Sequence, residues 1–323
     1  MESSITNSHT RPVKGRFAPS PTGRMHLGNV AAALLSWLSA KSAGGSWLLR
    51  IEDLDPQRSK VEHARLVEDD LAWLGLEWDE GGLDDIGSNA PYSQSRRHDI
   101  YAQFLERLND TGYTYPCRCT RAEIMATQAP HQSDGRVVYG GRCRPAVLPC
   151  SQADFTGAAT RIYVPDEVIS YRDGLYGDMH FNLAREVGDF VLRRADGAWA
   201  YQLAVVVDDA LMGVTEVVRG SDLLLSAAQQ IYLYRLLGLE PPCFAHVPLL
   251  CSDGGRRLSK RDRSLDMQSL RARFSAPELI GRVAAMLGLI PEYSPATPAA
   301  LVEGFSWAKI KPELTLEVNP DLF

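Results

Sequence analysis

Arg16-Phe-Ala-Pro-Ser-Pro-Thr-Gly-Arg-Met-His26-Leu-Gly-Asn29 is the stretch of sequence that decides the fold of this chain. Its first three residues are typical of the end of a strand, because the prolines that follow permit neither a helix nor a continuing ladder. From Gly28 onward, apolar residues recur at helical spacing as far as a pair of glycines. The segment therefore predicts a strand that leads into a helix, with His26 at the junction, as in a nucleotide-binding α/β fold.

The predicted junction is chemically suited to binding phosphate. Backbone N–H groups at a helix N-terminus, together with the helix dipole, attract anions. Gly28 lacks a Cβ, so adenine or ribose can approach the backbone closely there. His26 can donate a hydrogen bond to a phosphoryl oxygen as charge develops in a transition state. Taken alone, however, a His-x-Gly turn is more often an ordinary polar turn, so a second motif is needed.

The second motif is Arg257-Leu-Ser-Lys260-Arg261, within a glycine-rich loop at residues 253–262. A mobile loop that carries Lys260 suits a group that must move onto a triphosphate and then release pyrophosphate. Lysine is a compact point charge, which matches phosphate oxygens that separate during displacement. On composition alone the segment is an ordinary basic surface loop. Together, the two motifs predict an enzyme that attacks ATP at its α-phosphate, with His26 and Lys260 as catalytic residues.

With both motifs in place, the chain resembles the catalytic core of class I aminoacyl-tRNA synthetases of the glutamyl type. Residues 26–29 are similar to the HIGH motif of that family, and residues 257–261 to its KMSKS loop. Asn29 replaces the second histidine, and Arg257 and Arg261 replace the outer residues of the loop motif, but Lys260 is retained. Further matching segments are residues 49–55, 92–96, 201–209 and 212–220.

This resemblance, which runs from Arg16 to about Arg261, carries implications for the fold and for ATP. It implies a class I synthetase-type doubly wound (Rossmann-like) parallel sheet, an inserted α+β subdomain and a small, mainly helical C-terminal part. It also implies that ATP with Mg²⁺ is a substrate. The implied ATP-binding residues are His26, Gly28, Asn29 and Lys260.

Glutamate recognition requires groups that hold one α-ammonium and two carboxylates. Arg16 and Arg219 can each form a forked contact with a carboxylate, and Glu52 can pair with the ammonium. Tyr201 can hydrogen-bond the side-chain carboxylate or form a wall of the pocket. Each of the charged residues could instead belong to a surface ion pair. The glutamate-binding residues that the resemblance implies are Arg16, Phe17, Ala18, Pro19, Ser20, Glu52, Tyr201 and Arg219.

Two features favour a particular branch of this family, the glutamyl-Q tRNA(Asp) synthetases. Only residues 262–323 follow the KMSKS-like loop, which is too little for a separate anticodon-binding domain. Val205 stands where the tRNA-charging relatives usually carry Asn as part of the glutamate site. The resemblance implies that the partners are L-glutamate, ATP and tRNA(Asp) that contains queuosine. The alternatives are a minimal glutamyl-tRNA synthetase that charges the 3′ end of tRNA(Glu), and a non-catalytic tRNA-binding module.

The reaction implied by this resemblance has two steps. The α-carboxylate of glutamate attacks the α-phosphorus of ATP, while His26 and Lys260 stabilise charge on the phosphates. A hydroxyl of the queuosine cyclopentene ring, in the anticodon loop, then attacks the mixed anhydride and releases AMP. From position alone, we expect Asp208 or Asp209 to orient that hydroxyl.

Three of the six cysteines, Cys117, Cys119 and Cys143, form a cluster in the sequence. A Cys-x-Cys pair can place two thiolates on one cation, although this spacing is not that of a standard zinc finger. The resemblance implies one structural zinc ion per chain, with Tyr139 as the fourth ligand, and His131 is the alternative. Three reduced thiols without a metal are the other interpretation. The remaining residues, Cys150, Cys243 and Cys251, show no ligand spacing.

Composition limits the possible partners of the chain. Its 323 residues are 45% hydrophobic and carry a formal net charge of −6, so contact with tRNA requires a local basic stripe. Residues 256–263 are the strongest candidate for that stripe. Residues 1–10 lack the apolar core of a signal peptide, and no segment is apolar and long enough to span a bilayer. We therefore expect a cytoplasmic monomer without membrane contact.

The pattern along the chain, together with what the resemblance implies, predicts five segments. They are a disordered tail (1–15), the first half of the nucleotide-binding fold (16–110), an inserted acceptor and zinc subdomain (111–195), the second half of the fold (196–252), and the KMSKS-like loop with a short region that contacts the tRNA stem (253–323). Residues 200–218 are predicted to be buried and to form strand. Residues 226–237 are predicted as a helix that Gly238 caps.

Overall fold

The computed structural model of the chain describes residues 11–126, 138–149, 154–252, 256–258, 265–319 and 323. The strands are β1 (Lys14–Phe17), β2 (Ser46–Leu49), β3 (Glu80–Gly81), β4 (Thr114–Cys117), β5 (Ala159–Ile162), β6 (Val168–Asp173), β7 (Gly177–Asn182), β8 (Phe190–Arg193), β9 (Glu216–Gly220), β10 (Cys243–Val247), β11 (Leu249–Ser252), β12 (Arg256–Arg257) and β13 (Thr315–Glu317). The helices are α1 (Leu27–Ser42), α2 (Val61–Leu74), α3 (His98–Asp110), α4 (Arg121–Ala126), α5 (Leu183–Glu186), α6 (Tyr201–Leu211), α7 (Leu224–Leu237), α8 (Met267–Arg273), α9 (Ala276–Met286) and α10 (Pro298–Val302).

Two sheets with parallel strands meet at the centre of the fold. Strands β1, β2 and β3 pair in parallel in one sheet, and β9 and β10 pair in parallel in the other. The Thr215 N–H donates to the Lys14 carbonyl over 2.9 Å, which brings the start of β9 beside β1. Chain order reverses between β1 and β9, and ligands of such sheets bind at the carboxyl ends of the strands at this switch point. The predicted doubly wound fold is confirmed.

Helix α1 begins where the sequence predicts it. His26 is its N-cap: the Gly28 N–H donates to His26 Nδ1 over 3.1 Å, and the His26 N–H donates to Asn29 Oδ1 over 3.0 Å. This reciprocal pair satisfies two backbone donors of the first turn. The apolar face of α1, which includes Val30, Leu34 and Leu38, has no exposed surface. Burial of that face against the sheet fixes the position of His26 at the carboxyl end of β1.

The prediction of strand material at residues 200–218 is wrong for its first part. Residues 201–211 form helix α6, and only residues 216–220 form a strand, β9. Every residue from Leu203 to Asp209 is buried, so this helix lacks the polar face that would reveal helical periodicity. Three consecutive valines then favour a strand by propensity. The predicted helix at 226–237 is confirmed as α7, with Gly238 at its C-cap at a φ of 66°.

The remaining elements surround the two central sheets. Strands β4, β5 and β8 form a small antiparallel sheet, and the β6–β7 hairpin extends the sheet that contains β9 and β10. Helices α8 to α10 follow the KMSKS-like segment, and β13 pairs with β11. Among the described residues, no helix combines the length and the apolar character that a membrane crossing requires.

Gly281 in the middle of α9 allows two backbone segments to approach closely. A Cβ at this position would lie 2.0 Å from the Ser294 carbonyl oxygen. We expect Gly281→Ala to lower the free energy of unfolding by about 2 kcal/mol, because this overlap outweighs the better helix propensity of alanine. Urea unfolding measures the change. Gly304→Ala is the control, since a Cβ there meets only the end of the Lys309 side chain; equal effects of the two substitutions would contradict the prediction.

Candidate active site and metal centre

The carboxyl ends of β1 and β9 bring two predicted arginines to the switch point of the sheet. Arg16 is 4% exposed, and its Nη1 donates to the Val218 carbonyl over 3.2 Å. Its Nε lies 3.7 Å from Asp209 Oδ1 and has no hydrogen-bond partner among the described residues. Burial lowers the pKa of Arg16 from its usual value. Arg16 therefore retains a buried donor that a ligand can satisfy.

Arg219, on β9, is surrounded by neutral acceptors. Its Nη1 donates to Gln230 Oε1 over 2.8 Å, its Nε to His246 Nε2 over 3.1 Å, and its Nη2 to the Leu223 carbonyl over 3.3 Å. Among the described residues, no carboxylate lies within ion-pair distance of this guanidinium, which is 5% exposed. A buried cation without an anionic partner is unfavourable, so the site is suited to a carboxylate ligand.

His246 has its ring orientation set by two contacts. Its Nδ1 lies 2.6 Å from Asp173 Oδ2, and its Nε2 accepts from Arg219. Burial lowers the pKa of His246, so the neutral ring donates through Nδ1 and accepts through Nε2. This chain of contacts holds the Arg219 guanidinium in one orientation without neutralising it directly.

Glu52 follows the end of β2 and is held by Arg50. The Arg50 Nη2 donates to Glu52 Oε1 over 3.0 Å, while its Nη1 donates to Asp209 Oδ1 over 2.5 Å. Burial raises the pKa of Glu52, against the lowering effect of Arg50 and Arg16. The Glu52 N–H donates to the Pro19 carbonyl over 3.0 Å. The acidic group expected to bind an ammonium is therefore fixed beside the turn that leaves β1.

Tyr201 begins helix α6 and faces the same charges. Burial raises the pKa of its hydroxyl, which interacts electrostatically with Arg219, Glu52 and Arg16. The structure thus brings together the four side chains predicted for glutamate. The remaining predicted positions form the turn after Arg16, where Phe17 stacks on Trp47 with ring centroids 6.0 Å apart and Ser20 is exposed. Ala18 and Pro19 lie between them.

We call the group formed by Arg16, Glu52, Tyr201 and Arg219 the glutamate pocket. Next to it lies a cavity of about 160 Å³. His26, Gly28 and Asn29 line one side, and Gly220 and Leu223 line the other. Since Nδ1 of His26 accepts from Gly28, the neutral ring carries its proton on Nε2. Leu223 belongs to both sites, because its carbonyl accepts from Arg219. A nucleotide in this cavity would therefore adjoin a carboxylate bound at Arg219.

The predicted Lys260 lies outside the described residues, as does the alternative metal ligand His131. The segments that flank Lys260 are described. Leu258 lines the His26 cavity, and its N–H donates to the Leu250 carbonyl over 2.9 Å. On the other side, the Met267 N–H donates to the Met25 carbonyl over 2.9 Å. Both flanking segments therefore lie close to residues that line this cavity or adjoin them in sequence.

A separate cluster of thiols lies beside β4. The ligand atoms of Cys117, Cys119 and Cys143 all lie within 4.8 Å of one another. The Tyr139 hydroxyl lies 3.5 Å from Cys117 Sγ and 3.8 Å from Cys119 Sγ. Four donors around a tetrahedral zinc ion at normal bond lengths are separated by about 3–4 Å, so these residues fit the metal. Arg161, with its guanidinium carbon 3.8 Å from the Tyr139 ring centroid, covers one face of that ring.

Electrostatics in the cluster favour a thiolate at Cys143. Burial raises its pKa, but hydrogen bonds from the Arg118 backbone, Tyr139 and the neighbouring thiols lower the pKa of Cys143 overall, to about 7. Burial and the hydrogen bond with Cys143 raise the pKa of Cys119 to about 11. Zinc binds cysteine as the thiolate, so one ligand is already close to the required protonation state at neutral pH.

The structure corrects the expected role of Asp208 and Asp209. Asp208 has no exposed surface, and its carboxylate accepts from Arg97 Nε over 2.6 Å, Gln94 Nε2 over 2.8 Å and the Tyr101 hydroxyl over 2.9 Å. The Asp209 Oδ1 atom accepts a hydrogen bond from Arg50 Nη1 over 2.5 Å. Because both carboxylates lie beneath the pocket and are already paired, they position its walls and do not meet an incoming hydroxyl.

Several residues that support the pocket were not predicted from the sequence. Arg50, Arg97, Gln230 and His246 are all buried, at 0%, 2%, 1% and 0% exposure. The available signal was a charged or polar side chain inside an otherwise apolar stretch, as at residues 47–51 and 244–247, because such residues are seldom buried unless they are paired.

The matching family model is described as "tRNA synthetases class I (E and Q), catalytic domain" and covers residues 12–295. A glutamyl-Q tRNA(Asp) synthetase of Nitratidesulfovibrio vulgaris is 47% identical over 304 residues, which cover 92% of this chain and 93% of the relative. One of Symbiobacterium thermophilum is 46% identical over 93% of this chain and 94% of the relative.

Solved structures give a consistent result. A glutamate tRNA ligase from Elizabethkingia meningosepticum, in complex with its amino acid, superposes with a TM-score of 0.82 at 29% identity, covering 97% of this chain and 68% of that one. A glutamate-tRNA synthetase from Elizabethkingia anophelis gives 0.82 at 30% identity, covering 97% and 69%.

Asp208 provides a test of the buried ion-pair network. We expect Asp208→Asn to lower the free energy of unfolding by about 3 kcal/mol, because it leaves the Arg97 guanidinium buried without its carboxylate. Urea unfolding followed by circular dichroism measures the effect. Asp166→Asn, which breaks an exposed ion pair with Arg185, is the control and should change stability by less than about 0.5 kcal/mol. Similar losses in both variants would show that burial of the pair has no particular importance.

Proposed function

The chain belongs to the glutamyl-Q tRNA(Asp) synthetases, within the class I tRNA synthetases of the E and Q type, and from this premise we propose how its own residues catalyse the reaction. The proposed reaction activates L-glutamate with ATP and transfers the glutamate to the queuosine base in the anticodon loop of tRNA(Asp). The observation that carries the proposal is the position of Arg219. Within the described part of the chain, this buried cation has no carboxylate partner, and it adjoins the nucleotide cavity through Leu223.

Glutamate would bind with each of its charges matched. Its side-chain carboxylate would meet Arg16 and Arg219, with the Tyr201 hydroxyl beside them. Its ammonium would pair with Glu52, whose carboxylate Arg50 holds in place. These contacts would direct the α-carboxylate toward the cavity that His26 lines. Positioning the carboxylate next to the α-phosphate of ATP supplies most of the catalysis expected for this displacement.

The first chemical step forms a bond between an α-carboxylate oxygen and the α-phosphorus, and pyrophosphate leaves. His26 Nε2–H and Lys260 would stabilise the charge on the phosphate oxygens. In the second step, a hydroxyl of the queuosine ring attacks the carbonyl of glutamyl-adenylate. The ester forms, AMP leaves and the hydroxyl proton passes to solvent. Gly28 and Asn29 would bind the nucleotide at the start of α1, where Asn29 also maintains the His26 cap.

A structural zinc ion would be held by Cys117, Cys119, Tyr139 and Cys143. When bound, the metal would link β4 to the chain after residue 138. Hydrogen bonds within the protein also hold these ligand residues in position. The Cys143 N–H donates to the Tyr139 hydroxyl over 2.8 Å, and Arg144 forms a forked contact with Asp189 at 2.8 and 2.9 Å.

The acceptor is tested by incubating the enzyme with ATP and labelled glutamate in the presence of tRNA from queuosine-replete or queuosine-deficient cells. We expect label only on the queuosine-containing pool, and its retention after periodate oxidation of the tRNA 3′ ends. The matched control is Lys260→Ala, which should reduce glutamate-dependent pyrophosphate exchange by about 100-fold or more, because the cation that stabilises the leaving pyrophosphate is lost. Equal labelling of both pools, sensitive to periodate, would instead indicate a glutamyl-tRNA synthetase.

Metal analysis tests the zinc proposal. We expect about one zinc ion per chain in the wild-type protein and markedly less in Cys119→Ser, because the hydroxyl is a poor substitute for a thiolate. Cys243→Ser is the control, since Cys243 lies on β10 outside the cluster, and it should retain the metal. Wild-type protein that contains no zinc after growth in zinc-supplemented medium would contradict the assignment.

A further inference from the structure

Tyr234, on α7, carries a buried hydroxyl without a hydrogen-bond partner among the described residues. The side chain is 1% exposed. Tyr232, on the same helix, shows the usual arrangement: its hydroxyl donates to the Tyr163 carbonyl over 2.7 Å. Since buried hydroxyls in folded proteins are almost always paired, the exception at Tyr234 requires an explanation.

The position of Tyr234 on α7 directs it toward the glutamate pocket. Gln230 precedes it by four residues, so the two side chains share one face of the helix. Gln230 Oε1 accepts from Arg219, which identifies that face as the one that borders the pocket. The hydroxyl of Tyr234 interacts electrostatically with Asp209, Arg50, Arg16 and Arg219.

Helix α6 packs against α7, and Gln230 Nε2 donates to Gln202 Oε1 over 2.9 Å between them. Tyr201, Val205 and Asp209 are spaced four residues apart and therefore lie along one stripe of that helix. Val205, in the middle of the stripe, is 1% exposed and offers no polar atom in its side chain. A carboxylate between the two helices therefore finds no donor at residue 205.

Among the described residues, three buried donors in this region lack a hydrogen-bond partner: the Tyr234 hydroxyl, Arg16 Nε and Arg50 Nε. Arg50 Nε lies 3.8 Å from Asp208 Oδ2, whereas Tyr234 and Arg16 both interact electrostatically with Asp209, and Arg16 Nε lies 3.7 Å from the Asp209 carboxylate. Burial and the charge of Asp209 raise the pKa of Tyr234 well above its usual value, so the group remains a donor at neutral pH. A donor is what an incoming carboxylate requires.

We propose that the Tyr234 hydroxyl donates a hydrogen bond to the side-chain carboxylate of glutamate and is a specificity-determining residue of this enzyme. The inference rests on the proposed glutamate activation and extends it to a residue on α7. Tyr234 would act beside Arg16 and Arg219, and would provide the polar contact that Val205 cannot.

The test is the variant Tyr234→Phe, which removes the hydroxyl and keeps the ring. Glutamate-dependent ATP–pyrophosphate exchange is measured with queuosine-containing tRNA present. We expect KM for glutamate to rise about tenfold, because a hydrogen bond to a charged group is lost. KM for ATP should remain within about twofold, since Tyr234 is not among the residues that line the His26 cavity. The melting temperature of the ligand-free protein should stay equal or rise, because no internal hydrogen bond is removed.

Tyr232→Phe is the matched control on the same helix. It should lower the melting temperature, because the Tyr163 carbonyl loses its donor, and leave KM for glutamate unchanged. An unchanged KM for glutamate in Tyr234→Phe, with an active wild-type enzyme, overturns the inference but not the proposed function. A wild-type enzyme without glutamate-dependent exchange contradicts the proposed function itself.

Discussion

Arg50 is the ion-pair centre on which the active site depends. Its guanidinium has no exposed surface and bonds to Asp209 on α6 and to Glu52 after β2. A buried charge costs several kcal/mol unless it is closely paired, so these contacts fix α6 relative to β2. Because α6 is fixed in this way, Tyr201 and Val205 face the pocket. The carboxylates outweigh the effect of burial and raise the pKa of Arg50 above its usual value.

The buried arginines around this centre differ in the partners that the protein provides for them. Arg50 and Arg97 donate to protein carboxylates at short distance, whereas Arg219, among the described residues, has neutral acceptors only. The protein thus neutralises the charges that hold its helices together and leaves the charge of Arg219, at the switch point, without an anionic partner among those residues. Such incompleteness costs stability, and it is typical of sites whose last partner is a ligand.

Prediction from the sequence succeeded where the signal was local. The cap at His26, the helix α1 and the C-cap glycine of α7 follow from residues within a few positions of one another. The helix α6 was mistaken for a strand because burial on all sides removed its periodicity. Arg97 is buried against Asp208, a residue 111 positions away in the chain. A pairing over that separation leaves no trace in local sequence.

The sequence by itself determined the family, the nucleotide-binding fold and the side chains expected to hold glutamate, because each depends on a motif whose residue types and spacing are chemically constrained. Only the tertiary structure decided which charges pair with each other and which remain available. It paired Asp208 and Asp209 with buried donors, made Asn29 part of a helix cap, and left the Tyr234 hydroxyl buried without a hydrogen-bond partner among the described residues. These outcomes depend on packing between distant segments, where the cost of burying an unpaired polar group selects the partners.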